Sequence, residues 1–145
     1  MWYLSSVVYY PSCVSKETVL AGYGMMTEAV HGVSAVTSKI PRTFNSDIGI
    51  FGYSKIKSPL FCGFSERFFG EAKYLVASKS KALFDYLYFY KRRIKKLNSK
   101  CVEETRINFQ QMDSSDWREF EGYLGKARSI KLDKLYKLIR DIYAE

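Results

Sequence analysis

Histidine, cysteine and proline are all scarce in this sequence of 145 residues, which has one histidine, three cysteines and three prolines. Cys13, Cys62 and Cys101 are far apart and show no Cys-x-x-Cys spacing, so we expect reduced thiols, no disulfide framework and no zinc site. His31 stands beside Gly32 at a predicted loop edge, and we interpret it as a loop residue rather than a general base. These shortages count against a disulfide-rich secreted protein and against a histidine-dependent enzyme.

Long apolar runs are absent as well. No run approaches the roughly 20 residues that a membrane-spanning helix requires, and the first 14 residues are too polar and lack the basic start of a signal peptide. We therefore predict a cytoplasmic protein with no membrane association. The apolar content of 47% and charged content of 26% are ordinary for a globular protein, and a chain of this length supports one domain with a real core.

The net charge of +8 is spread unevenly. Residues 71–100 carry nine basic and two acidic side chains, whereas residues 101–145 carry eight and nine. Such a cationic cluster can meet phosphate or an acidic partner, or it can simply complement a helix dipole and keep the surface soluble. Both interpretations stay open. The nine candidate nucleic-acid-binding or partner-binding residues are Lys39, Arg42, Lys55, Lys57, Lys91, Arg92, Arg93, Lys95 and Lys96.

The stretch from residue 74 to residue 97 predicts a strand, a cap and one long helix. Residues 74–77 are a short apolar run typical of a strand, and Ser78 or Ser80 can cap the helix that follows. Apolar side chains then recur with helical spacing from Leu83 to Leu97. The first half of this helix is apolar nearly all round, which predicts burial on two sides, and the second half is strongly cationic.

The segments before this helix predict strands around one short helix. Residues 1–14 are expected to be extended, and a helix should begin at Ser15 and end at Gly22. Further strands are predicted over residues 32–38, in a hairpin over 42–56, and in a strand pair over 60–69 and 73–77. The pattern predicts an α+β fold in which a small antiparallel sheet packs on a long central helix.

The segment after the long helix is predicted to be helical. Residues 102–112 have helical spacing, and Asp116 with Glu119 fits a capping box for the next helix. A last helix is capped near Ser129. We predict that residues 1–100 form the α+β core and that residues 101–145 form a helical segment that packs on it and covers Phe84, Tyr88 and Phe89.

Catalytic motifs are not evident. Ser78-x-x-Lys81 matches a serine–lysine spacing known from penicillin-binding enzymes, but the other motifs of those enzymes are missing. Glu103 and Glu104, with Asp113 and Asp116, are better explained by solvated helix faces than by a metal cluster. We therefore predict no enzymatic activity, no cofactor and no metal.

Five short segments occur in an order and spacing that resemble a known family. They read VSKETVLAGYGM (residues 14–25), SAVTSK (34–39), GIFGYSKIK (49–57), YLVASKSKALFD (74–85) and ETRIN (104–108). Together they resemble the C-terminal domain of the AbiEi-type antitoxins, which regulate type IV (abortive-infection) toxin–antitoxin systems. The similarity runs over roughly residues 9–140. Lys79 and Ser80 depart from the family pattern, which has a proline and an acid there.

This resemblance implies an antitoxin domain that counteracts a nucleotidyltransferase-like toxin without forming a stable complex with it. Full-length members carry a winged helix-turn-helix before this domain and repress their own operon. Met1 falls about where that DNA-reading domain would end, so we expect the winged helix to be absent here. Two alternatives remain open. The first is a nucleic-acid-binding module without sequence specificity, or part of an autoregulatory repressor. The second is an enzyme whose site is assembled from distant residues.

Overall fold

A six-stranded sheet forms the centre of the computed structural model, which describes residues 1–26 and 30–143. Its strands are β1 (Ser12–Val14), β2 (Val33–Thr37), β3 (Arg42–Ser46), β4 (Gly49–Lys55), β5 (Phe64–Phe69) and β6 (Ala72–Ala77). They lie side by side in the order β3-β4-β2-β1-β6-β5.

The sheet is mixed, so the predicted purely antiparallel sheet is wrong. β1 pairs with β6 and β2 pairs with β4 in parallel, while the other neighbours are antiparallel. The two predicted hairpins are confirmed as β3–β4 and β5–β6. Hairpins depend on turns that are local in sequence, whereas the parallel pairs join strands separated by other elements, which local patterns do not encode.

Six helices are present in the described residues. They are α1 (Trp2–Val8), α2 (Lys16–Gly22), α3 (Lys79–Tyr90), α4 (Ser99–Glu103), α5 (Ser114–Ala127) and α6 (Ile130–Ile142). Short 3-10 turns lie at Ser58–Leu60, Lys91–Arg93 and Phe109–Gln111.

The predicted long central helix is also wrong, because α3 ends at Tyr90 and passes into the 3-10 turn Lys91–Arg93. Ile94 then has extended backbone angles, and its side chain is buried. Five of the six residues from 91 to 96 are cationic, and like charges three or four positions apart destabilise a helix. The apolar spacing predicted a longer helix. Instead, the chain bends after α3, and the bend places Ile94 in the core.

The first residues also differ from the prediction, since α1 occupies much of the stretch expected to be extended. The side chains of Trp2 and Leu4 pack against the core, and Ser5 is buried. Tyr53 donates a hydrogen bond of 2.5 Å from its hydroxyl to the carbonyl oxygen of Ser5, which ties α1 to β4. Tertiary packing therefore overrides the strand propensity of this aromatic and β-branched segment.

The helical layer that matters for the site consists of α2, α3 and α5. Ser78 caps α3 as predicted, because its side chain accepts a hydrogen bond from the backbone N–H of Lys81. Phe84 of α3 is fully buried, with its ring centroid 5.8 Å from that of Phe120 and 5.6 Å from that of Tyr123. The predicted cover by the C-terminal helices is confirmed for Phe84, whereas the ring of Phe89 contacts Lys16, Tyr88 and Arg92.

The start of α5 corrects one detail of the predicted capping. The capping box consists of Asp113 and Asp116, each accepting a backbone N–H of the other, rather than Asp116 with Glu119. The cap of α6 is Ser129, as predicted. The helical spacing of residues 102–112 is divided between α4 and a 3-10 turn, because Ile107 forms an isolated antiparallel bridge with Met26.

Candidate anion-binding surface

Three aromatic residues at the end of α3 are followed by three cations, and each cation reaches the ring three positions before it. The Lys91 ammonium lies 4.1 Å from the ring centroid of Tyr88, Arg92 lies 5.1 Å from that of Phe89, and Arg93 lies 5.2 Å from that of Tyr90. Residues three apart lie on the same side of a helix or 3-10 turn. All three distances are within the range of cation–π attraction. The local sequence thus holds these charges against rigid rings.

Lys91 is the most buried of these cations, and burial is the main reason why its pKa is lowered from 10.5. The charges of Arg92, Lys57 and Lys131 lower the pKa of Lys91 further. Lys131, on α6, donates a hydrogen bond of 2.5 Å to the carbonyl oxygen of Ile94. We call these four residues, Lys57, Lys91, Arg92 and Lys131, the Lys91 cluster.

A second group of cations lines a shallow groove of about 270 Å³ next to the Lys91 cluster. Its cationic residues are Arg93, Lys95, Lys96 and Lys100, and its one carboxylate is that of Glu104. The remaining walls are formed by Tyr90, Ile94, Asn98 and Cys101. We call this the Lys95 groove. All four cationic side chains are exposed, so a bound anion would meet them without displacing protein atoms.

The other predicted residues lie apart from these two groups. Lys39 and Arg42 flank the ring of Tyr9, at 5.3 Å and 5.8 Å from its centroid. Lys55 is exposed at the end of β4, where it is in register with Thr37. The structure therefore brings six of the nine predicted cations into two adjoining groups and places the remaining three elsewhere.

The cations of these two groups have few acidic partners. In residues 1–26 and 30–143, the ion pairs within 4.0 Å involve Lys16, Lys73, Lys79 and Lys81, and none involves a predicted binding residue. Clustered cations that outnumber the carboxylates around them create a positive potential that attracts anions. This is the property that makes the surface a candidate binding site.

Lys81 shows the opposite arrangement, because its ammonium is buried inside the protein. It forms an ion pair with Asp85, one turn later on α3, and the two side chains are 1% and 0% exposed. Ser15 donates a hydrogen bond of 2.6 Å to the other carboxylate oxygen. Burial raises the pKa of Asp85, while Lys81 and Ser15 oppose that rise. Such a closed pair has no access to a ligand, so its role is structural.

The thiol of Cys13 lies in the same buried region. Burial raises the pKa of Cys13, the charge of Asp85 raises it further, and the charge of Lys81 lowers it. A nucleophilic cysteine needs a lowered pKa and access to solvent, and Cys13 has neither. Among the described residues, no three His, Cys, Asp or Glu side chains come together as metal ligands would.

Two cations of the candidate surface were missed by the sequence reasoning. Lys100 could have been found, since it belongs to the same basic stretch as Lys95 and Lys96. Lys131 could not, because it reaches the Lys91 cluster from α6 and no local pattern connects the two.

No protein-family model matches the chain, and no curated protein and no solved structure has significant similarity to it. Within the part of the chain that the structure describes, none of the helices combines the length and apolarity needed to cross a membrane.

Proposed function

We propose that this protein is a non-enzymatic, cytoplasmic antitoxin domain that counteracts a nucleotidyltransferase-like toxin through the Lys91 cluster and the Lys95 groove. The toxin–antitoxin role comes from the resemblance to AbiEi-type antitoxins. The observation that supports a binding surface is the set of adjoining cations with no carboxylate within ion-pair distance in the described residues. The partner is anionic, either nucleic acid or an acidic protein surface.

The aromatic rings restrict the cations of this surface, unlike the charges of an ordinary solvated face. Lys91 and Arg92 both pack on Tyr88, and Arg92 also packs on Phe89, so their side chains are already restricted before a partner arrives. A restricted side chain loses less conformational entropy when it binds, which strengthens binding. An anion would also relieve the repulsion that lowers the pKa of Lys91.

The test is co-expression of residues 1–145 with the nucleotidyltransferase-like toxin that the proposal predicts beside this gene, with growth as the readout. We expect the unmodified chain to restore growth. The triple variant Arg92→Glu, Lys95→Glu and Lys96→Glu should fold and fail to restore growth, because it reverses three charges of the candidate surface.

The matched control reverses three exposed cations of α5 and α6, namely Arg118→Glu, Lys126→Glu and Lys137→Glu, and makes the same change in net charge. We expect this control to restore growth. Restoration by a folded Arg92, Lys95 and Lys96 variant would remove the surface from the proposal. Failure of the unmodified, folded chain would remove the antitoxin role.

A second candidate function is binding to the nucleic-acid backbone without sequence specificity. The specific support is that cations already cover the rings of Tyr88 and Phe89, which favours phosphate contacts over base stacking. Fluorescence anisotropy with a labelled duplex at several salt concentrations tests it. With about five phosphate contacts, log Kobs should fall with log salt at a slope of about −4.5. Affinity that does not depend on salt would contradict this candidate.

A further inference from the structure

The helical layer stops part of the way across the sheet and leaves a cavity at its border. Thr43, Gly52 and Ser34 are directly paired across β3, β4 and β2, so their side-chain positions lie on one face of the sheet. α2 covers the Ser34 end of this row through a hydrogen bond between the hydroxyls of Thr18 and Ser34. A Cβ atom built on Gly52 would meet nothing within 4 Å. A cavity of about 310 Å³ lies over this row.

Lys16 supplies the positive charge of this cavity. Its ammonium donates a hydrogen bond of 3.1 Å to the Ser54 hydroxyl and lies 5.0 Å from the ring centroid of Phe89. Among residues 1–26 and 30–143, the one carboxylate within ion-pair distance of this ammonium is that of Glu17, at 4.0 Å. The side chain of Lys16 is only 15% exposed. An ammonium has three N–H donors, and among the described residues only the Ser54 hydroxyl accepts one of them, so Lys16 can donate to an additional anion.

Lys16 has a φ of 58°, in the left-handed region that glycine and asparagine adopt most easily. An asparagine at this position therefore keeps the backbone conformation while it removes the ammonium.

We infer that this cavity binds a small sugar phosphate, with a nucleoside monophosphate as the largest occupant. A phosphate has several acceptor oxygens for the Lys16 ammonium and for the hydroxyls of Ser54 and Thr43, which line the cavity. The Glu17 carboxylate, also in the lining, accepts a hydrogen bond from a sugar hydroxyl. His31 lines the rim. The volume is at the small end of ligand pockets, which excludes larger cofactors.

The test is a titration of the intact chain with inorganic phosphate, ribose 5-phosphate and adenosine 5′-monophosphate, followed by amide NMR shifts. We expect saturable shifts at Gly52 and Ser54, with tighter binding of the two sugar phosphates than of inorganic phosphate. Lys16→Asn removes the ammonium and suits the left-handed backbone, so it should weaken affinity by about tenfold or more without lowering thermal stability.

Arg128→Asn is the matched control, because Arg128 is an exposed cation with a φ of 50° at the end of α5. It makes the same change in charge and backbone preference away from the cavity, and affinity should not change. Gly52→Val places a side chain in the open space over β4 and should abolish the shifts while the protein remains folded.

The inference is overturned if none of the three probes binds saturably. It is equally overturned if Lys16→Asn and Gly52→Val bind as the unmodified chain does, or if Arg128→Asn loses as much affinity as Lys16→Asn. Lys16→Asn also removes a cation from the ring of Phe89, on which Arg92 packs. Gly52→Val changes no residue that contacts the Lys91 cluster or the Lys95 groove, so its result is independent of the growth experiment.

Discussion

The two ends of α3 differ in the burial and pairing of their positive charges. Near its start, Lys81 is 1% exposed and is neutralised by Asp85, with Ser15 as a further hydrogen-bond partner of the carboxylate. Beyond its end, Lys95 and Lys96 are exposed and line a groove with two other cations. The comparison shows that the number of lysines says little about function. At these two ends, the lysine that pairs with a carboxylate is buried in the fold, and the lysines without such a pair line the candidate surface.

The residue one helical turn later decides this difference. Lys81 is followed four positions on by Asp85, which can reach its ammonium, whereas Lys91 is followed four positions on by Lys95. An opposite charge at this spacing stabilises a helix and a like charge destabilises it. The same spacing therefore explains both the buried ion pair and the end of α3 at Tyr90.

Removing the carboxylate of the buried pair should have the largest effect. Asp85→Ala leaves the Lys81 ammonium buried and uncompensated, and we expect the free energy of unfolding to fall by about 3–5 kcal/mol. Urea denaturation measures it. The double variant Lys81→Met with Asp85→Leu removes both charges at similar volume and should recover most of that loss. A loss below about 1 kcal/mol for Asp85→Ala would contradict a structural role.

Ser15→Ala should have the next largest effect, about 1–3 kcal/mol in the free energy of unfolding, because it removes a hydrogen bond to a buried carboxylate. Ser15 precedes α2 without a side-chain capping bond, so loss of a cap does not explain the effect. Ser6→Ala, which removes only a bond to the carbonyl of Tyr3 in α1, is the control and should change stability by less than about 0.5 kcal/mol. Equal effects in the two variants would refute the role given to Ser15.

A titration of Lys91 tests the environment of the cations beyond the end of α3. The folded-state pKa of Lys91 is below 10.5, so the charged form opposes folding at lower pH, and this penalty disappears as pH rises toward 10.5. An anionic partner should raise the pKa of Lys91, because it compensates the charges of Arg92, Lys57 and Lys131. NMR of the labelled ε-carbon measures both values. A free-state pKa at or above 10.5, or no rise with a saturating partner, would contradict the binding surface.

The smallest effect on stability is expected for the exposed lysines of the groove. Lys95→Ala combined with Lys96→Ala should change the free energy of unfolding by no more than about 0.5 kcal/mol, since both side chains are exposed. Urea denaturation beside Asp85→Ala makes the comparison direct. A loss above about 1 kcal/mol would mean that these lysines, like Lys81, serve the fold.

Local features of the fold could be predicted from the sequence. The hairpins, the Ser78 and Ser129 caps and the burial of Phe84 depend on turn chemistry and on spacing within a few residues. The parallel pairing of β1 with β6 could not be predicted in this way, because the two strands are some 60 positions apart and either direction satisfies their apolar pattern.

The candidate surface was predicted in part for the same reason. The charge run at residues 91–96 identifies most of it, because those residues are neighbours in sequence. Lys57 and Lys131 join the Lys91 cluster only when separate segments pack together. The cavity beside Lys16 had no sequence signal, because its floor is a row of residues from three strands.

The sequence by itself determined the α+β class, the hairpins, the Ser78 and Ser129 caps and the concentration of cations after the aromatic run of α3, since these depend mainly on residues that are close in the chain. The tertiary structure decided the mixed sheet, the bend at Ile94, the burial of Lys81 with Asp85 and the position of Lys16 over β4. The physical reason is that compensation of charge and closure of the core depend on distances between segments far apart in the chain. Identical lysines acquire different roles only when those distances are set.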